Sequence, residues 1–408
     1  MITALRARNF RFLWAGQFVS QFGNVFLEVA ALWILQLRSP TYLAIAGVVM
    51  TAPMILAAFG GALVDQLGPR RLMILTDVVR AVGVGLMAAL VAFQPAGTPA
   101  YLIIALGLTS LGGALFSPAE AVIIPDVLPD AGLASGNGLM QMTSSTANTV
   151  GYAVGGAFLV SMGSLAILGF DAITYAVSAL SILLVTLKTS RTAAAGAPSA
   201  FSVASLRNGF SAISQLRWFM AVVPVVVALN AILNGAVLML PFWVHHLLRG
   251  SAAVYGILIA LWTAGQVLGS LMAGAFSRFG AQRLITVTTI IQGLFFAGFA
   301  LWRSPAPEGA MLFLASMTNG IQNAHLFAIF QRKIPEEVRG RAFGVLMSLL
   351  TLANPLGVLM VGATLTVLPL EWPWFLGAAL MFVLALQFGT SNDLRGEAFT
   401  TPSSPDVT

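Results

Sequence analysis

Residues 61–71 read GALVDQLGPRR, a short segment with charges and glycines that lies between two long apolar runs. The runs cover residues 42–64 and 72–93. Each is long enough to cross the hydrocarbon core of a membrane, which takes roughly 20 residues of helix. Gly61 and Gly68 permit a sharp turn and a close approach between helices. The segment therefore predicts a charged loop between two membrane-spanning helices.

The composition of the whole chain agrees with a membrane protein. Of 408 residues, 58% are hydrophobic and 8% are charged, whereas soluble domains have about 25% charged residues. So few charges cannot coat a soluble particle, and so much apolar surface excludes a disordered chain. The net charge of +6 comes from scattered arginines, which do not indicate nucleic-acid binding. The absence of cysteine excludes disulfides and thiolate metal sites.

Hydropathy predicts an all-α integral membrane protein with twelve transmembrane helices. They are expected at residues 10–36, 42–64, 72–93, 99–121, 136–162, 166–187, 218–245, 253–277, 283–302, 309–331, 342–368 and 373–390. The domains follow as an N-terminal six-helix bundle (1–187), a cytoplasmic linker (188–217), a C-terminal six-helix bundle (218–392) and a cytoplasmic tail (393–408). The linker is either an interfacial helix or a plain flexible connection.

Charge distribution and internal repetition set the predicted topology. Most of the 20 lysines and arginines fall on one side of the membrane if both termini are cytoplasmic, as the positive-inside rule requires. Arg11 and Arg217 precede the first span of each half, and Asn24 and Asn230 match at the same offset. Such repetition indicates two bundles related by a pseudo-two-fold axis along the membrane normal.

The segment 61–71 resembles the G-x-L-x-D-R-x-G-R-R/K loop of the major facilitator superfamily, a large group of secondary transporters. It matches in residue type and in its position between spans two and three, although Gln66 and Pro69 depart from the pattern. Residues 273–283 form a decayed copy in the second half. The resemblance covers essentially the whole chain. It implies the major facilitator fold, in which two bundles surround a central cavity that opens alternately to each side.

The resemblance also implies a gating cluster that latches the two halves on the cytoplasmic side. Asp65 can accept hydrogen bonds at the start of a facing helix. Arg70 and Arg71 can pair with acids at the inner end of span four, or they serve only as positive-inside anchors. Asp77 and Arg80 have the spacing of an i,i+3 pair, which is either structural or gating. The predicted gating residues are Gly61, Asp65, Gly68, Arg70, Arg71, Asp77, Arg80, Glu120 and Asp126.

Further motifs narrow the resemblance to a drug-exporting branch that includes macrolide and siderophore exporters. These are LTDVVR at 75–80, SPAE at 117–120, IPD at 124–126 and FDA at 170–172. Residues 151–156 read GYAVGG, which is similar to the antiporter motif G-P-x-x-G-G, with Tyr152 in place of the proline. Gly151, Gly155 and Gly156 are therefore antiporter-motif candidates. Their alternative role is tight packing of helices through small residues.

Charged side chains inside a membrane are costly, so they are expected to face a cavity or a partner. Glu28 lies roughly 27 Å into the first span at 1.5 Å per residue. Its charged form is disfavoured in an apolar cavity, which makes it the candidate for proton coupling or cation binding. Asp171, near the outer end of span six, is expected to be a structural cap or to be paired. The predicted cavity residues are Asn24, Glu28, Asn230, Asn234 and His325; for the histidine, a structural hydrogen bond is the alternative.

Together these patterns predict a secondary active transporter that exports a hydrophobic or amphipathic small molecule, such as a drug, a macrolide or a siderophore-like compound. Proton-coupled alternating access across a bacterial inner membrane is the expected mechanism. Uptake or sodium coupling is one alternative, and a non-transporting receptor or assembly protein is another. The expected partners are the small-molecule substrate, protons and the lipid bilayer, and a monomer is expected. No enzymatic activity, cofactor, metal or nucleic-acid partner is predicted, because nucleotide-binding and hydrolase motifs are absent.

Overall fold

The computed structural model describes residues 4–54, 63–186, 217–277, 279–334, 336–364 and 367–390, and every regular element in these ranges is helical. The α-helices are α1 (Arg8–Gln36), α2 (Pro40–Thr51), α3 (Pro69–Phe93), α4 (Thr98–Val127), α5 (Asp130–Leu183), α6 (Arg217–Leu238), α7 (Leu240–His246), α8 (Ala252–Met272), α9 (Ala281–Leu301), α10 (Pro305–Lys333), α11 (Glu336–Thr364) and α12 (Trp372–Thr390). Gly61, the linker up to residue 216 and the predicted tail lie outside the described residues.

Proline and capping residues explain where the helices begin. The Ser39 side chain accepts a hydrogen bond from the backbone N–H of Thr41 (3.2 Å), and Pro40 follows as the first residue of α2. Gly68 has a φ of +78° and precedes Pro69, the first residue of α3. Proline suits the first helical position because its missing N–H has no helical partner there. The glycine in the quoted loop is thus a turn residue, as predicted.

Helix α5 consists of two spans joined at Gly163. Its 54 residues would extend about 80 Å if straight, far more than the hydrocarbon core of about 30 Å. Gly163 interrupts the helix with φ 75° and ψ 177°, a conformation that glycine adopts readily. The two arms, 130–162 and 164–183, therefore correspond to the predicted fifth and sixth spans.

The described residues confirm an all-α membrane protein. Eight helices are long and apolar enough to cross a membrane, and α6 with α7 forms a further candidate that bends by 47°. Separating the two arms of α5 and adding α2 and α10 would give the twelve spans predicted. The total of twelve stays a prediction, because residues 55–62 of the second span lie outside the described ranges.

The helices before residue 187 (the first half) and those after residue 216 (the second half) pack in equivalent ways. Within the first half α1 packs on α5, and within the second half α6 packs on α11. Between the halves, α5 packs on α8 and α2 packs on α11. The first arm of α5 is equivalent to α11, and α8 is equivalent to α2. A two-fold rotation that places each half on the other therefore converts the α5–α8 contact into the α11–α2 contact, as a pseudo-two-fold axis requires.

Glycines allow the halves to meet at close range near the predicted outer end, where α1 ends and α2 begins. A Cβ on Gly256 of α8 would clash with the Tyr152 carbonyl oxygen of α5. A Cβ on Gly47 of α2 would lie 2.5 Å from Cγ1 of Val358 in α11. Small residues at both interfaces therefore let helix backbones of opposite halves come into contact.

Candidate functional site

Glu28 of α1 bonds to Tyr152 of α5. The Tyr152 hydroxyl donates to Glu28 Oε1 at 3.0 Å. Both side chains are half-buried, so each keeps an accessible part inside the bundle. A hydroxyl that donates to a carboxylate stabilises its charged form and orients the group. The carboxylate predicted for proton coupling therefore has a partner in the antiporter-like segment 151–156.

Tyr152 also takes part in the contact between the halves. Its carbonyl oxygen lies against Gly256 of α8, while Gly156, one turn further along α5, lies against the backbone of Ala252. Its hydroxyl bonds to Glu28. The sequence analysis treated Tyr152 only as a departure from the motif, and thus missed a residue that contacts both Glu28 and the opposite half.

The antiporter-motif glycines face two different neighbours. A Cβ on Gly151 would lie 3.0 Å from Cγ1 of Val25, and one on Gly155 would lie 3.2 Å from Cδ1 of Phe26, both in α1. Gly156 instead contacts α8. Close packing through small residues, the alternative considered for these glycines, is thus present on both faces of α5.

An aromatic cluster of both halves lies beyond Glu28 toward the C-terminal end of α1, the predicted outer end. The Trp33 ring of α1 stacks on the Tyr255 ring of α8 with 6.3 Å between centroids. The same ring meets His245 of α7 edge-on at 5.9 Å. Trp33 is 9% exposed and Tyr255 is 2% exposed. These buried rings close the space between the halves above Glu28.

The predicted cavity asparagines make hydrogen bonds within their own half. Asn24 Oδ1 accepts from the Tyr175 hydroxyl of α5. Asn230 Nδ2 donates to the Val226 carbonyl (2.9 Å) and Asn234 Nδ2 to the Asn230 carbonyl (2.8 Å). The Asn234 side chain remains exposed near the C-terminal end of α6.

His325 of α10 is 5% exposed, and its Nδ1 contacts the Ile321 carbonyl at 2.8 Å. Burial against a backbone carbonyl fits the structural alternative considered for this histidine, since a cavity-lining side chain would be accessible. We therefore do not assign His325 to the substrate cavity.

A buried ion pair joins Asp77 and Arg80, as their spacing predicted. Arg80 NH2 lies 2.7 Å from Asp77 Oδ1, and both residues are at most 5% exposed. The Ser178 hydroxyl of α5 donates to Asp77 Oδ2 at 2.6 Å. The Arg80 guanidinium lies over the rings of Tyr175 (4.5 Å) and Phe116 (5.1 Å). The pair thus ties α3 to α4 and α5, and its gating role stays a prediction.

Arg70 has backbone carbonyls as partners in place of the carboxylate that was one of its two predicted roles. Arg70 instead donates to the carbonyls of Ile182 (3.2 Å) and Leu183 (2.8 Å) at the end of α5. These carbonyls lack helical partners and carry the negative end of the helix dipole, so they attract a cation. In the described ranges neither Arg70 nor Arg71 forms an ion pair.

The remaining gating candidates are dispersed. Asp65 is exposed beside the Gly68 turn, and Asp126 lies half-buried near the end of α4. Glu120 is half-buried and acts electrostatically on Asp77 and Arg80. Glu120 therefore belongs with the buried pair and not with the loop arginines.

Asp171, which was expected to be capped or paired, forms no ion pair in the part of the chain that the structure describes. Asp171 is fully buried, and neither carboxylate oxygen has a hydrogen-bond partner among the described residues. Sequence could not show this, because hydropathy does not fix the rotation of a membrane helix.

Sequence reasoning missed a set of amides in the second half. Asn323 Nδ2 donates to Asn319 Oδ1 at 2.9 Å within α10, and Gln266 Nε2 of α8 donates to the same oxygen at 3.5 Å. Gln266 and Asn323 are exposed. Exposed amides within membrane helices are sustained where they line a water-filled space. The three amides could have been found as polar residues within predicted spans eight and ten.

Known proteins resemble this chain in sequence. A family model described as the Major Facilitator Superfamily matches residues 13–358. Macrolide efflux protein A of Streptococcus pyogenes is 23% identical over 95% of this chain and 96% of its own length. Multidrug efflux pump Tap of Mycolicibacterium fortuitum is 25% identical over 83% of this chain and 85% of its own length.

Solved structures share the fold. The crystal structure of nucleoside transporter NupG aligns with a TM-score of 0.66 at 17% identity, over 95% of this chain and 98% of that one. The crystal structure of a D-xylose-proton symporter aligns with a TM-score of 0.65 at 13% identity, over 95% and 99% of the two chains. At these identities the likeness is one of architecture.

Proposed function

Because this chain belongs to the Major Facilitator Superfamily, we propose that it exports a hydrophobic or amphipathic small molecule from the bacterial cell by proton-coupled alternating access. The bundles 1–187 and 218–392 would rock about the pseudo-two-fold axis, with both termini cytoplasmic. The chain is a multi-pass membrane protein and a transporter rather than an enzyme. Relatives named as efflux proteins favour export over uptake.

One observation carries the coupling: a single residue, Tyr152, touches both the carboxylate and the opposite half. Its hydroxyl bonds to Glu28, and its carbonyl oxygen lies against Gly256. When Glu28 binds a proton, the charge-assisted hydrogen bond becomes a neutral one, which is roughly half as strong. Such a change at Tyr152 alters the balance between the closed and open contact of α5 with α8. A ligand shifts a conformational equilibrium only through such a difference in binding.

In this mechanism Glu28 takes up a proton while the cavity faces outward. The halves then close above it through the Trp33–Tyr255 stack. Glu28 releases the proton to the cytoplasm after the cavity turns inward, and substrate binds there in its place. Because Glu28 binds either a proton or the substrate, entry of protons is coupled to exit of substrate.

The cavity wall supports an amphipathic substrate. The exposed amides of Gln266 and Asn323 offer donors and acceptors from the second half. Most of the surrounding surface in the spans is apolar. A few polar groups in an apolar wall is the usual composition of a small-molecule site. Macrolides have this combination of an apolar ring and hydroxyl groups, and we take them as the first substrates to test.

The test uses susceptibility and vesicle transport. A drug-sensitive bacterial host expressing the wild-type chain is compared with the same host expressing Glu28→Gln, against macrolides and other amphipathic antibiotics. The antibiotic with the largest difference is then assayed in proteoliposomes with an imposed pH gradient. We expect wild-type protein to move it against its own gradient and Glu28→Gln to lose gradient-driven flux.

Three results would contradict the proposal. Transport driven by sodium and indifferent to the pH gradient would indicate sodium coupling. Inward accumulation with protons would indicate uptake. A silent protein that binds a partner protein tightly would indicate a receptor or an assembly role.

A further inference from the structure

Asp171 is a buried carboxylate that the proposed transport cycle does not use. It lies in the second arm of α5 and is fully buried. Neither Oδ1 nor Oδ2 has a hydrogen-bond donor among the described residues. An ionised carboxylate without donors is costly to bury. As a neutral acid the same side chain avoids most of that cost, because it carries no net charge.

The packing around Asp171 leaves room for its carboxyl group. A Cβ placed on Gly23 of α1 would lie 2.6 Å from Asp171 Oδ1. The glycine thus provides the space that the carboxyl group occupies between α1 and α5. Thr174, one turn away, donates its hydroxyl to the Asp171 backbone carbonyl at 2.8 Å.

Charge balance in this region also leaves Asp171 without a counterion. Arg80 is the cation that acts on Asp171, and the same guanidinium acts on Asp77 and Glu120. One cation therefore faces three carboxylates, and in this structure it is bound to Asp77 at 2.7 Å. Glu120 keeps an accessible part of its side chain. Among the described residues, Asp171 has neither access to solvent nor an ion pair within 4 Å.

We propose that Asp171 is a second proton-binding site, which holds a proton while Arg80 pairs with Asp77 and pairs with Arg80 once that proton has left. The guanidinium already lies over the ring of Tyr175, one turn from Asp171 on the same helix, so the change of partner needs only a side-chain movement. The Tyr175 hydroxyl is uncharged and bonds to Asn24. Loss of the proton makes the cluster more negative by one charge, and Asp77, no longer paired with Arg80, keeps the hydrogen bond from the Ser178 hydroxyl at 2.6 Å.

Asp171 and Glu28 lie near the same polar contact of the bundle. Asn24 lies one turn below Glu28 on α1, and Tyr175, which donates to Asn24, lies one turn from Asp171 on α5. Each carboxyl group therefore lies one helical turn along its own helix from the Asn24–Tyr175 hydrogen bond. The inference rests on the proposed function, because it adds a second coupled proton to the same transport cycle.

Infrared spectroscopy of the purified full-length chain tests the inference, since protonated carboxyl groups have a separate carbonyl stretch. The protein is prepared once with ordinary and once with isotope-labelled aspartate, in which the side-chain carboxyl carbon is heavier. We expect the wild-type chain at neutral pH to show a protonated carboxyl band that the label shifts. Asp171→Asn should abolish this band, whereas Glu28→Gln and the exposed-loop control Asp65→Asn should keep it.

Absence of a label-sensitive band in the wild-type chain at neutral and mildly acidic pH would overturn the inference, as would a band that survives in Asp171→Asn. The labelled wild-type protein can overturn the inference even if Asp171→Asn fails to fold, because absence of a label-sensitive band excludes a protonated Asp171. The result is independent of transport, so it separates the two proposals. Unchanged flux in Glu28→Gln would count against the proposed function, whereas loss of the aspartate band in Asp171→Asn reports on Asp171.

Discussion

Tyr152 stands where the antiporter motif has proline, and its hydroxyl donates to Glu28. The sequence marked Glu28 correctly as an acid within a span, because charge in an apolar stretch is visible by composition alone. It could not pair Glu28 with Tyr152, since the two lie 124 residues apart and their contact depends on how α1 and α5 are rotated. The same uncertainty concealed the lack of partners at Asp171.

At the residue scale, Glu28→Gln removes the titratable group and keeps the shape of the side chain. We expect transport driven by the pH gradient to fall about tenfold or more, on the order of 1.4 kcal/mol in activation free energy. Flux measured in proteoliposomes checks this. Glu28→Asp is the control, because it keeps a carboxylate and should retain dependence on the pH gradient. Equal flux in wild type and Glu28→Gln would exclude this carboxylate from coupling.

Tyr152→Phe removes only the hydroxyl that contacts Glu28. A single hydrogen bond contributes about 1 kcal/mol, so the rate of coupled transport should drop roughly fivefold. Tyr101→Phe is the matched control, because its hydroxyl donates to the exposed Gln94 at 3.1 Å, away from the site. Similar rates in the two variants would show that the Tyr152 hydroxyl plays no part in coupling.

At the scale of elements, glycines separate spans and bring helices together. Hydropathy located the fifth and sixth spans within a few residues, although α5 has no loop between them, because length alone requires a break. The break falls at Gly163, where φ is positive. Which glycines are turn residues and which are helix contacts could not be read from sequence, since both occur within apolar stretches.

Gly163→Ala places a side chain on a backbone conformation that glycine alone adopts easily. We expect a loss of roughly 1–3 kcal/mol in stability. Gly169→Ala, in the second arm of α5, has open space around its Cβ and no positive φ. It should be neutral or more stable by up to about 1 kcal/mol. Thermal unfolding in detergent distinguishes the two variants. Equal melting temperatures would argue against a positive-φ break of α5 at Gly163.

Gly256→Ala tests the contact between α5 and α8. The added methyl group would clash with the Tyr152 carbonyl oxygen. Overpacking of this kind costs about 1–3 kcal/mol, so the closed outer contact should weaken and coupled transport should slow. Gly274→Ala, just beyond the end of α8 with nothing within 4 Å of its Cβ, is the control. A transport rate in Gly256→Ala that equals the control's would remove this contact from the mechanism.

At the scale of the whole molecule, the two halves meet through α5 on α8 and α2 on α11. The absence of cysteine makes a crosslinking test direct, because no native thiol competes. Gly47→Cys combined with Val358→Cys should form a disulfide on oxidation, since the Gly47 Cβ position lies 2.5 Å from a Val358 methyl carbon. We expect oxidation of the double variant to abolish its transport and reduction to restore it, whereas transport by the single-cysteine variants should not respond to the oxidant. Full activity of the crosslinked protein would contradict rocking of the halves.

The architecture of the whole chain was largely predictable, and the arrangement of the site only in part. Apolar stretches of fixed length locate spans because the bilayer sets that length. The Asp77–Arg80 pair was predictable because it lies within one helix. The bonds of Arg70 to carbonyls at the end of α5 and the amides around Gln266 were not, because they depend on contacts between helices distant in sequence.

The position of Tyr152 affects how many protons such a transporter would admit without exporting substrate. Its side chain contacts Glu28 and its main chain contacts the other half, so under the proposed mechanism a proton leaving Glu28 restores the stronger bond to Tyr152 and keeps the contact between the halves closed until substrate binds. Idle cycling without cargo would then be slow, and the resting membrane would keep its gradient.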